Sequence, residues 1–478
     1  MRKVFSKTKK VVALLLAMVM LFALTACGDN GTANENPNEG EENVELTHLE
    51  KLEEYFKDYP AIDLQGRTIE ICIFWDAYYD SNHTSPEDNP NVADVETAQM
   101  MIDNVRRIEE KYNCRIEYVN PGSDALINSL NTSVVAGTPD YDVYMTQTWF
   151  AMGLALNDYF EEIPELAKDY SKVSIDESSI DCAPLAGKNC FFGNTTLSTG
   201  AYLMVYNEDM IKELNLEDPN ELYAKGEWTW EKFAELCAAA TQDTDNNGEI
   251  DIYGYGGKEG GTISEFLASN NAALIKDGKQ NLTDEKVLET FNFLNKIYNE
   301  EKIAKPTTGD VNIDAFSFTE GKCAFSVMQL WILQSVENMN FTYRTVPWPQ
   351  GPSGDGSTIG KVYSDYFVIP KGVENPEAVF QVLEEFFGWH AGDLTLRDAG
   401  SIETVESILL TEEDVVTYSA EALKSGDDDW SMVDDQTGYV ISGIFQSVIT
   451  GEQTPAQAIE ANKQVWQDAI DQVYASGQ

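Results

Sequence analysis

The chain contains 478 residues, more than one ordinary hydrophobic core needs, so two or three domains of about 100–200 residues each are expected. Its 81 acidic and 32 basic residues give a net charge of −49. This charge excludes a nucleic-acid partner, whose phosphates require cations. Hydrophobic residues make up 43 % of the chain, which is enough apolar surface for folded domains. The histidines His48, His83 and His390 form no zinc-binding motif, which disfavours a His-based metalloenzyme.

The amino-terminal residues have the organisation of a signal peptide. A basic stretch precedes an apolar run over residues 11–24. The run is shorter than the roughly 20 residues of a spanning helix, which disfavours the alternative of a retained membrane anchor. The segment 24–27 (LTAC) resembles the lipobox of bacterial lipoproteins. This resemblance implies that residues 1–26 are removed and that Cys27 is the lipidated first residue of the mature protein. Residues 27–46 are then expected to form a flexible tether.

Six further cysteines follow Cys27. An even number outside the membrane permits disulfides, but their spacing matches none of the CxxC motifs of zinc or redox sites. We therefore expect mostly buried free thiols. If one disulfide forms, its expected pair is Cys182 and Cys190.

The first folded part of the chain alternates predicted strands and helices. Residues 68–75 are typical of a buried strand, and residues 95–112 of an amphipathic helix. A second strand is predicted over residues 115–119, a second helix over residues 123–135 and a third strand over residues 141–145. This alternation predicts an α/β fold, in which helices cover both faces of a mostly parallel sheet.

Five segments resemble the motifs of one protein family and occur in the same order. They are residues 136–143 (AGTPDYDV), 205–210 (VYNEDM), 226–233 (GEWTWEKF), 318–325 (FTEGKCAF, followed by Trp331) and 367–378 (FVIPKGVENPEA). Across about residues 66–475, the chain resembles the extracellular solute-binding proteins of ABC importers, of the maltose-binding-protein-like class.

The resemblance implies a type II periplasmic-binding-protein-like fold. Each of its two lobes is expected to be a mainly parallel sheet flanked by helices, with the ligand in the cleft between the lobes. The chain is expected to cross between the lobes near residues 197–202 and 360–366. The predicted division is lobe 1 over residues 47–199 and 365–410, and lobe 2 over residues 200–364 and 411–478.

Several aromatic residues are candidates for a carbohydrate site, since sugar rings stack on flat aromatic faces and bond to polar groups at the rim. Parallel strands of α/β folds place ligands at their carboxyl ends. For each aromatic candidate, the alternative is a core or hinge position. The candidates at or after the ends of predicted strands are Trp75, Asp76, Tyr78 and Trp149, and those implied by the resemblance are Tyr206, Trp331 and Tyr439.

Residues 243–251 (DTDNNGEID) fit the first nine positions of a calcium loop. Gly248 occupies the turn position, but Gly254 stands at position twelve, where an EF-hand has a bidentate Glu. The loop is therefore incomplete, and a metal-free Asn/Gly turn is the alternative. The predicted ligands of a structural Ca²⁺ are Asp243, Asp245, Asn247, Glu249 and Asp251.

The sequence contains none of the enzyme motifs that carry a local signature, such as a GxSxG elbow, a P-loop or GxGxxG. Together with the resemblance, this predicts a monomeric, non-enzymatic lipoprotein on the extracellular face of the membrane. It would need no cofactor, bind a sugar or oligosaccharide by hinge closure and deliver it to an ABC permease. The alternatives are an extracellular carbohydrate-active enzyme and the binding subunit of a sensory system.

Overall fold

The computed structural model describes nine stretches of the chain: residues 46–75, 79–89, 95–167, 189–193, 200–308, 316–334, 339–355, 365–422 and 429–476. The predictions for Cys27, Asp76, Tyr78 and Cys182 lie outside these stretches. Within them, no helix has the length and apolar character required to cross a membrane.

The strands of the described residues form two four-stranded sheets and one short hairpin. Their bounds are β1 Arg67–Cys72, β2 Cys114–Val119, β3 Val143–Thr146, β4 Tyr202–Asn207, β5 Tyr253–Gly257, β6 Ile275–Lys276, β7 Lys279–Gln280, β8 Cys323–Gln329, β9 Tyr343–Val346 and β10 Tyr366–Val368.

Helices connect these strands and cover the sheets. Their bounds are α1 His48–Tyr55, α2 Val95–Tyr112, α3 Ser123–Ser129, α4 Thr148–Leu156, α5 Ile163–Leu166, α6 Glu208–Glu213, α7 Pro219–Lys225, α8 Trp230–Ala240, α9 Glu259–Ser269, α10 Glu285–Asn295, α11 Leu330–Gln334, α12 Pro376–Phe387, α13 Leu394–Ile408, α14 Glu412–Ala422, α15 Asp429–Thr437, α16 Val440–Ile449 and α17 Pro455–Ser476. Single π-helical turns over Leu130–Val134 and Lys296–Glu300 continue α3 and α10.

The first sheet has the strand order β10-β3-β1-β2. Strand β1 is parallel to both β2 and β3, as the alternation of strands and helices predicts. Helix α2 buries Ile102, Val105 and Ile108, whose spacing of three residues places them on one face. Helix α2 also packs against α12. The buried carboxylate of Glu385 in α12 lies 2.6 Å from Nη1 of Arg107 in α2. These contacts fix α2 and α12 against the first sheet.

The second sheet has the strand order β5-β8-β4-β9. Only β5 and β8 pair in parallel, because β4 runs antiparallel to both β8 and β9. The prediction of a mainly parallel sheet is therefore confirmed for the first sheet and wrong for the second. Strand β4 begins at the edge where β8 ends, with Tyr202 opposite Gln329, so it runs away from that edge.

The same arrangement occurs at β10 of the first sheet. Its first residue, Tyr366, pairs with Thr146, the last residue of β3. A strand that enters its sheet at the carboxyl-end edge must run antiparallel to the strands that end there. Hydrophobic periodicity does not encode the edge at which the chain enters a sheet, which explains why the sequence did not predict these directions.

Helices from the carboxyl-terminal part pack against both lobes. Helix α15 contacts α4, and Gln436 Nε2 donates to the backbone oxygen of Trp149 at 3.2 Å. Val405 and Ile408 of α13 belong to the hydrophobic cluster of the second sheet, although the predicted division assigns α13 to lobe 1. The lobe boundaries stay predictions.

Cys72, Cys114 and Cys237 are buried free thiols, as expected. Burial raises the pKa of Cys72 and Cys114 to about 12, so these thiols stay protonated at neutral pH. Cys190 and Cys323 are also buried, and Cys182, the predicted partner of Cys190, lies outside the described stretches.

Candidate functional site

Three chain segments meet at the carboxyl-end edge of the first sheet. β1 and β3 end there, and β10 begins there. Loops at this edge are where α/β folds hold their ligands. We call the side chains of Trp75, Gln147, Trp149 and Asp365 the first-lobe edge.

Hydrogen bonds join these four side chains in one chain. Trp75 Nε1 donates to Asp365 Oδ2 at 2.7 Å, and Gln147 Nε2 donates to Asp365 Oδ1 at 2.7 Å. Trp149 Nε1 donates to Gln147 Oε1, also at 2.7 Å. Both indole N–H groups are therefore satisfied by the protein, while each tryptophan keeps 42 % of its surface exposed.

Asp365 is the one ionisable member of this chain of hydrogen bonds. Burial raises the pKa of its carboxyl group above the ordinary value, and the hydrogen bonds from Gln147 and Trp75 partly oppose that shift. Both effects are expected for a carboxylate that is withdrawn from water but bonded on both oxygens. The result is an edge with two exposed aromatic faces and one anchored acidic group.

The corresponding edge of the second sheet carries a different set of groups. Trp331, in α11 directly after β8, exposes 44 % of its surface. Lys258 directly follows β5, and its Nζ lies 5.7 Å from the centroid of the Tyr202 ring, a cation–π distance. We call Lys258 and Trp331 the second-lobe edge. Tyr439, the third predicted residue of this lobe, directly precedes α16 and exposes 55 % of its surface.

Tyr206 is placed in the core instead of at the predicted site. It lies inside β4, all six residues of which are buried, and its side chain has no exposed surface. Its hydroxyl accepts from Asn220 Nδ2 at 3.1 Å, and burial raises the pKa of the phenol well above its usual value. This position offers no aromatic face to a ligand, and Tyr206 contributes to the core.

Sequence reasoning missed Asp365 and Lys258 as site residues. Asp365 was placed in the second crossing segment, but nothing in a chain with 81 acidic residues distinguished it from the others. It lies 290 positions from Trp75 in sequence, so only the paired strands bring the two together. Lys258 carried a weak signal, because it follows a strand directly.

Three of the predicted calcium ligands lie together in the loop between α8 and β5. One carboxylate oxygen from each of Asp243, Asp245 and Asp251 falls within 4.8 Å of the other two. The loop is ordered by its own backbone, since the amide of Gly248 donates to Asp243 Oδ2 at 2.8 Å. The side chain of Asn247 also stabilises the loop, because its oxygen accepts from the backbone amide of Glu249 at 2.7 Å.

The structure explains why position twelve of this loop departs from an EF-hand. A Cβ atom at Gly254 would lie 2.3 Å from the backbone oxygen of Cys237. Position twelve therefore packs directly against α8 and has no room for a glutamate. Any cation here would depend on the earlier loop positions and water for its ligands.

Comparison with known proteins places the chain in a family. The family model described as bacterial extracellular solute-binding protein matches residues 89–391. The chain belongs to this family. The expected family membership is therefore confirmed. In a separate comparison, no curated protein matches the sequence.

Solved solute-binding proteins share the fold at low sequence identity. The ABC transporter solute-binding protein of Thermotoga lettingae, bound to α-D-tagatose, is 19 % identical with a TM-score of 0.56, covering 85 % of this chain and 100 % of that one. An ABC substrate-binding protein of Listeria monocytogenes in complex with cycloalternan is 13 % identical with a TM-score of 0.56, covering 86 % and 100 %. The GacH receptor of Streptomyces glaucescens is 15 % identical with a TM-score of 0.57, covering 85 % and 99 %. These similarities confirm the two-lobed fold.

Proposed function

We propose that this solute-binding protein captures an extracellular carbohydrate and delivers it unaltered to an ABC permease. The observation that carries the proposal is the first-lobe edge, where Trp75 and Trp149 expose their rings while their N–H groups are bonded within the protein. The solved proteins with this fold include ones bound to tagatose, cycloalternan and acarbose, which supports a carbohydrate as the ligand class.

The exposed groups suit the two kinds of surface that a sugar presents. The C–H face of a pyranose or furanose ring packs on an indole, and its hydroxyls bond to planar polar groups at the rim. Gln147 and Asp365 supply such groups beside the indoles of Trp75 and Trp149. At the second-lobe edge, Trp331 would supply a third aromatic face.

Capture requires a ligand that contacts both lobes. Such a ligand binds the closed arrangement of the lobes more tightly than the open one and therefore shifts the population towards closure. Trp75 and Trp149 would act from lobe 1, and Trp331 and Tyr439 from lobe 2. No covalent step is needed, and the closed monomer would present the surface that the permease recognises.

Calorimetric titration tests the ligand class directly. The purified protein is titrated with α-D-tagatose, maltose, maltotriose, cycloalternan and acarbose, and the same mixtures are analysed by chromatography after incubation. We expect saturable binding with one site per chain and an unchanged carbohydrate. Cleavage products would favour the alternative of a carbohydrate-active enzyme, and failure to bind any member of a broad glycan array would contradict the carbohydrate assignment.

The lipid anchor at Cys27 forms a separate part of the proposal. Its support is the sequence alone, a basic and apolar leader followed by LTAC. Cells expressing the wild-type protein should hold it in the membrane fraction, and Cys27→Ala should shift it to the medium or the soluble fraction. An unchanged distribution in the variant would remove the anchor from the account.

The loop over residues 243–251 is proposed to bind a structural Ca²⁺. Asp243, Asp245 and Asp251 offer hard oxygen ligands within one small volume, which suits this cation. The cation would brace the turn between α8 and β5. A calcium concentration 100-fold above Kd should raise the unfolding free energy by about 2.7 kcal/mol.

Melting curves with and without Ca²⁺ test this prediction. The wild type should melt at a higher temperature in Ca²⁺ than in a chelator, and Asp245→Ala should remove the difference. Asp58→Ala, which changes an exposed aspartate outside the loop, is the matched control and should keep it. Equal melting of the wild type under both conditions would contradict the metal site.

A further inference from the structure

The hydrogen bonds at the first-lobe edge connect the two tryptophans through Asp365 and Gln147, and Asp365 is the member that bonds to both Trp75 and Gln147. Asp365 accepts from Trp75 through Oδ2 and from Gln147 through Oδ1, and Gln147 in turn accepts from Trp149. We propose that Asp365 is the positioning residue of the binding site, which holds both indoles in the orientation used to stack on a ligand. This inference rests on the proposed function, since it assigns a role at the same site.

The direction of the hydrogen bonds requires a carboxylate at position 365. An indole N–H can only donate, so the side-chain oxygen of Gln147 must point to Trp149 and its NH₂ group must point to Asp365. Asp365 therefore faces one donor at each oxygen. An asparagine would turn its own NH₂ towards one of these donors, and one bond would be lost whichever way the amide was rotated.

The backbone around Asp365 is held firmly on two sides. The amide of Phe367 donates to the oxygen of Phe192 at 2.6 Å, and the amide of Phe192 donates to the oxygen of Phe367 at 3.0 Å. Thr146 Oγ1 donates to the oxygen of Tyr366 at 3.2 Å. A Cβ atom at Gly193 would lie 3.3 Å from the oxygen of Asp365 itself, so the segment 189–193 packs closely against this residue.

Asp365 lies just before a strand of the first sheet. It directly precedes β10, the strand with which the chain re-enters the first sheet from β9 of the second. The pairing of β10 with β3 therefore fixes the position of the carboxylate to which Trp75 and Gln147 are bonded.

Indole N–H resonances in ¹H–¹⁵N spectra of the full-length protein test the positioning role without any ligand. Trp75→Phe and Trp149→Phe assign the two signals. In Asp365→Asn, we expect at least one of the two signals, that of Trp75 directly or that of Trp149 through Gln147, to shift and to exchange faster with water. In Gln147→Met, only the Trp149 signal should respond strongly, because the Trp75 bond to Asp365 remains. Unmoved signals in Asp365→Asn would overturn the proposal.

Ligand titrations give the second readout. Maltotriose and α-D-tagatose are titrated into the wild type, Asp365→Asn and the control Asp63→Asn, which removes an exposed carboxylate of the same lobe that accepts from Asn113. We expect affinity to fall about ten-fold or more in Asp365→Asn, consistent with the loss of a bond to a charged group, and to stay unchanged in the control. Equal affinities in all three proteins would overturn the positioning role.

The two readouts separate failure of this inference from failure of the proposed function. If the wild type binds no carbohydrate but its indole signals respond to Asp365→Asn as described, the carbohydrate assignment fails and the positioning role of Asp365 stands. If carbohydrate binds and the indole signals do not respond to Asp365→Asn, the positioning role of Asp365 fails and the carbohydrate assignment stands.

Discussion

The first-lobe edge and strand β4 of the second sheet differ in how they place aromatic side chains. At the first-lobe edge, Trp75 and Trp149 follow strand ends and are tied through Gln147 to Asp365. In the second lobe, the family-matched Tyr206 lies inside β4 and is fully buried. The two aromatic residues that follow strand ends are thus available to a ligand, whereas Tyr206, inside a strand of the second sheet, contributes to the core.

The edges also differ in charge. The first-lobe edge carries the acidic acceptor Asp365, and the second-lobe edge carries the ammonium group of Lys258 above the Tyr202 ring. A ligand between them would meet hydrogen-bond acceptors on one wall and donors on the other. The hydroxyls of a carbohydrate both donate and accept, so this pairing suits the proposed ligand class.

The largest effect of a substitution on ligand affinity is expected at Trp75, whose exposed ring is oriented by its hydrogen bond to Asp365. Trp75→Ala should weaken carbohydrate binding by roughly 30-fold or more, corresponding to about 2 kcal/mol of lost aromatic contact. Its melting temperature should change little, because the ring is substantially exposed. Tyr223→Ala, which removes an exposed aromatic ring in α7, is the control, and an equal loss of affinity in both variants would break the comparison.

A smaller effect is expected at Trp331 on the second-lobe edge. Trp331→Ala should weaken binding about ten-fold, since one contact of an aromatic side chain contributes about 1 kcal/mol or more. The melting temperature should again be nearly unchanged. Calorimetric affinity equal to that of the wild type would remove Trp331 from the site and leave the ligand to the first lobe alone.

The raised pKa of Asp365 predicts a pH dependence of stability. Burial makes the folded protein bind the Asp365 proton more tightly than the unfolded chain does. Stability is therefore lost as pH rises from the ordinary carboxyl value of about 4 through the raised folded value, and it stays reduced above that. Among the described residues, the hydrogen-bond partners of this carboxylate are the uncharged Trp75 and Gln147.

Chemical denaturation between pH 4 and pH 7 of the wild type and Asp365→Asn checks this sign. The difference in unfolding free energy, wild type minus variant, should fall as pH rises across the interval. Comparing the two proteins cancels the titration of the other carboxylates. A difference that rises with pH would contradict this prediction and would mean that the hydrogen bonds from Gln147 and Trp75 outweigh the effect of burial on the pKa of Asp365.

The smallest effect on binding is expected at Tyr206. Tyr206→Phe removes the hydroxyl that accepts from Asn220, which should lower the unfolding free energy by about 1 kcal/mol and leave carbohydrate affinity unchanged. Calorimetry and denaturation on one preparation measure both quantities. A loss of affinity with unchanged stability would return Tyr206 to the binding site and contradict its assignment to the core.

Local patterns in the sequence predicted much of the first lobe. The alternation of apolar residues located β1, α2, β2 and β3 to within a few residues, because each element buries a periodic face. The directions of β4 and β10 were not predictable in this way. They depend on the edge at which the chain enters each sheet, which is a property of the tertiary arrangement.

The candidate site was predicted only where local sequence determines position. Trp75 and Trp149 follow strands, so their placement at the edge needed no knowledge of the rest of the chain. Asp365 reaches them through the pairing of β10 with β3, a long-range contact without a sequence signal. Similarly, the sequence alone gives no reason for a glycine at position twelve of the acidic loop. The reason is that α8 occupies the space beside Gly254.

Small-angle X-ray scattering of the protein with and without a saturating carbohydrate tests most directly whether the ligand is captured between the two lobes. With a carbohydrate that calorimetry shows to bind, the radius of gyration should decrease, and Trp331→Ala should require more ligand for the same decrease. A saturated protein whose scattering matches that of the free protein would contradict capture by closure.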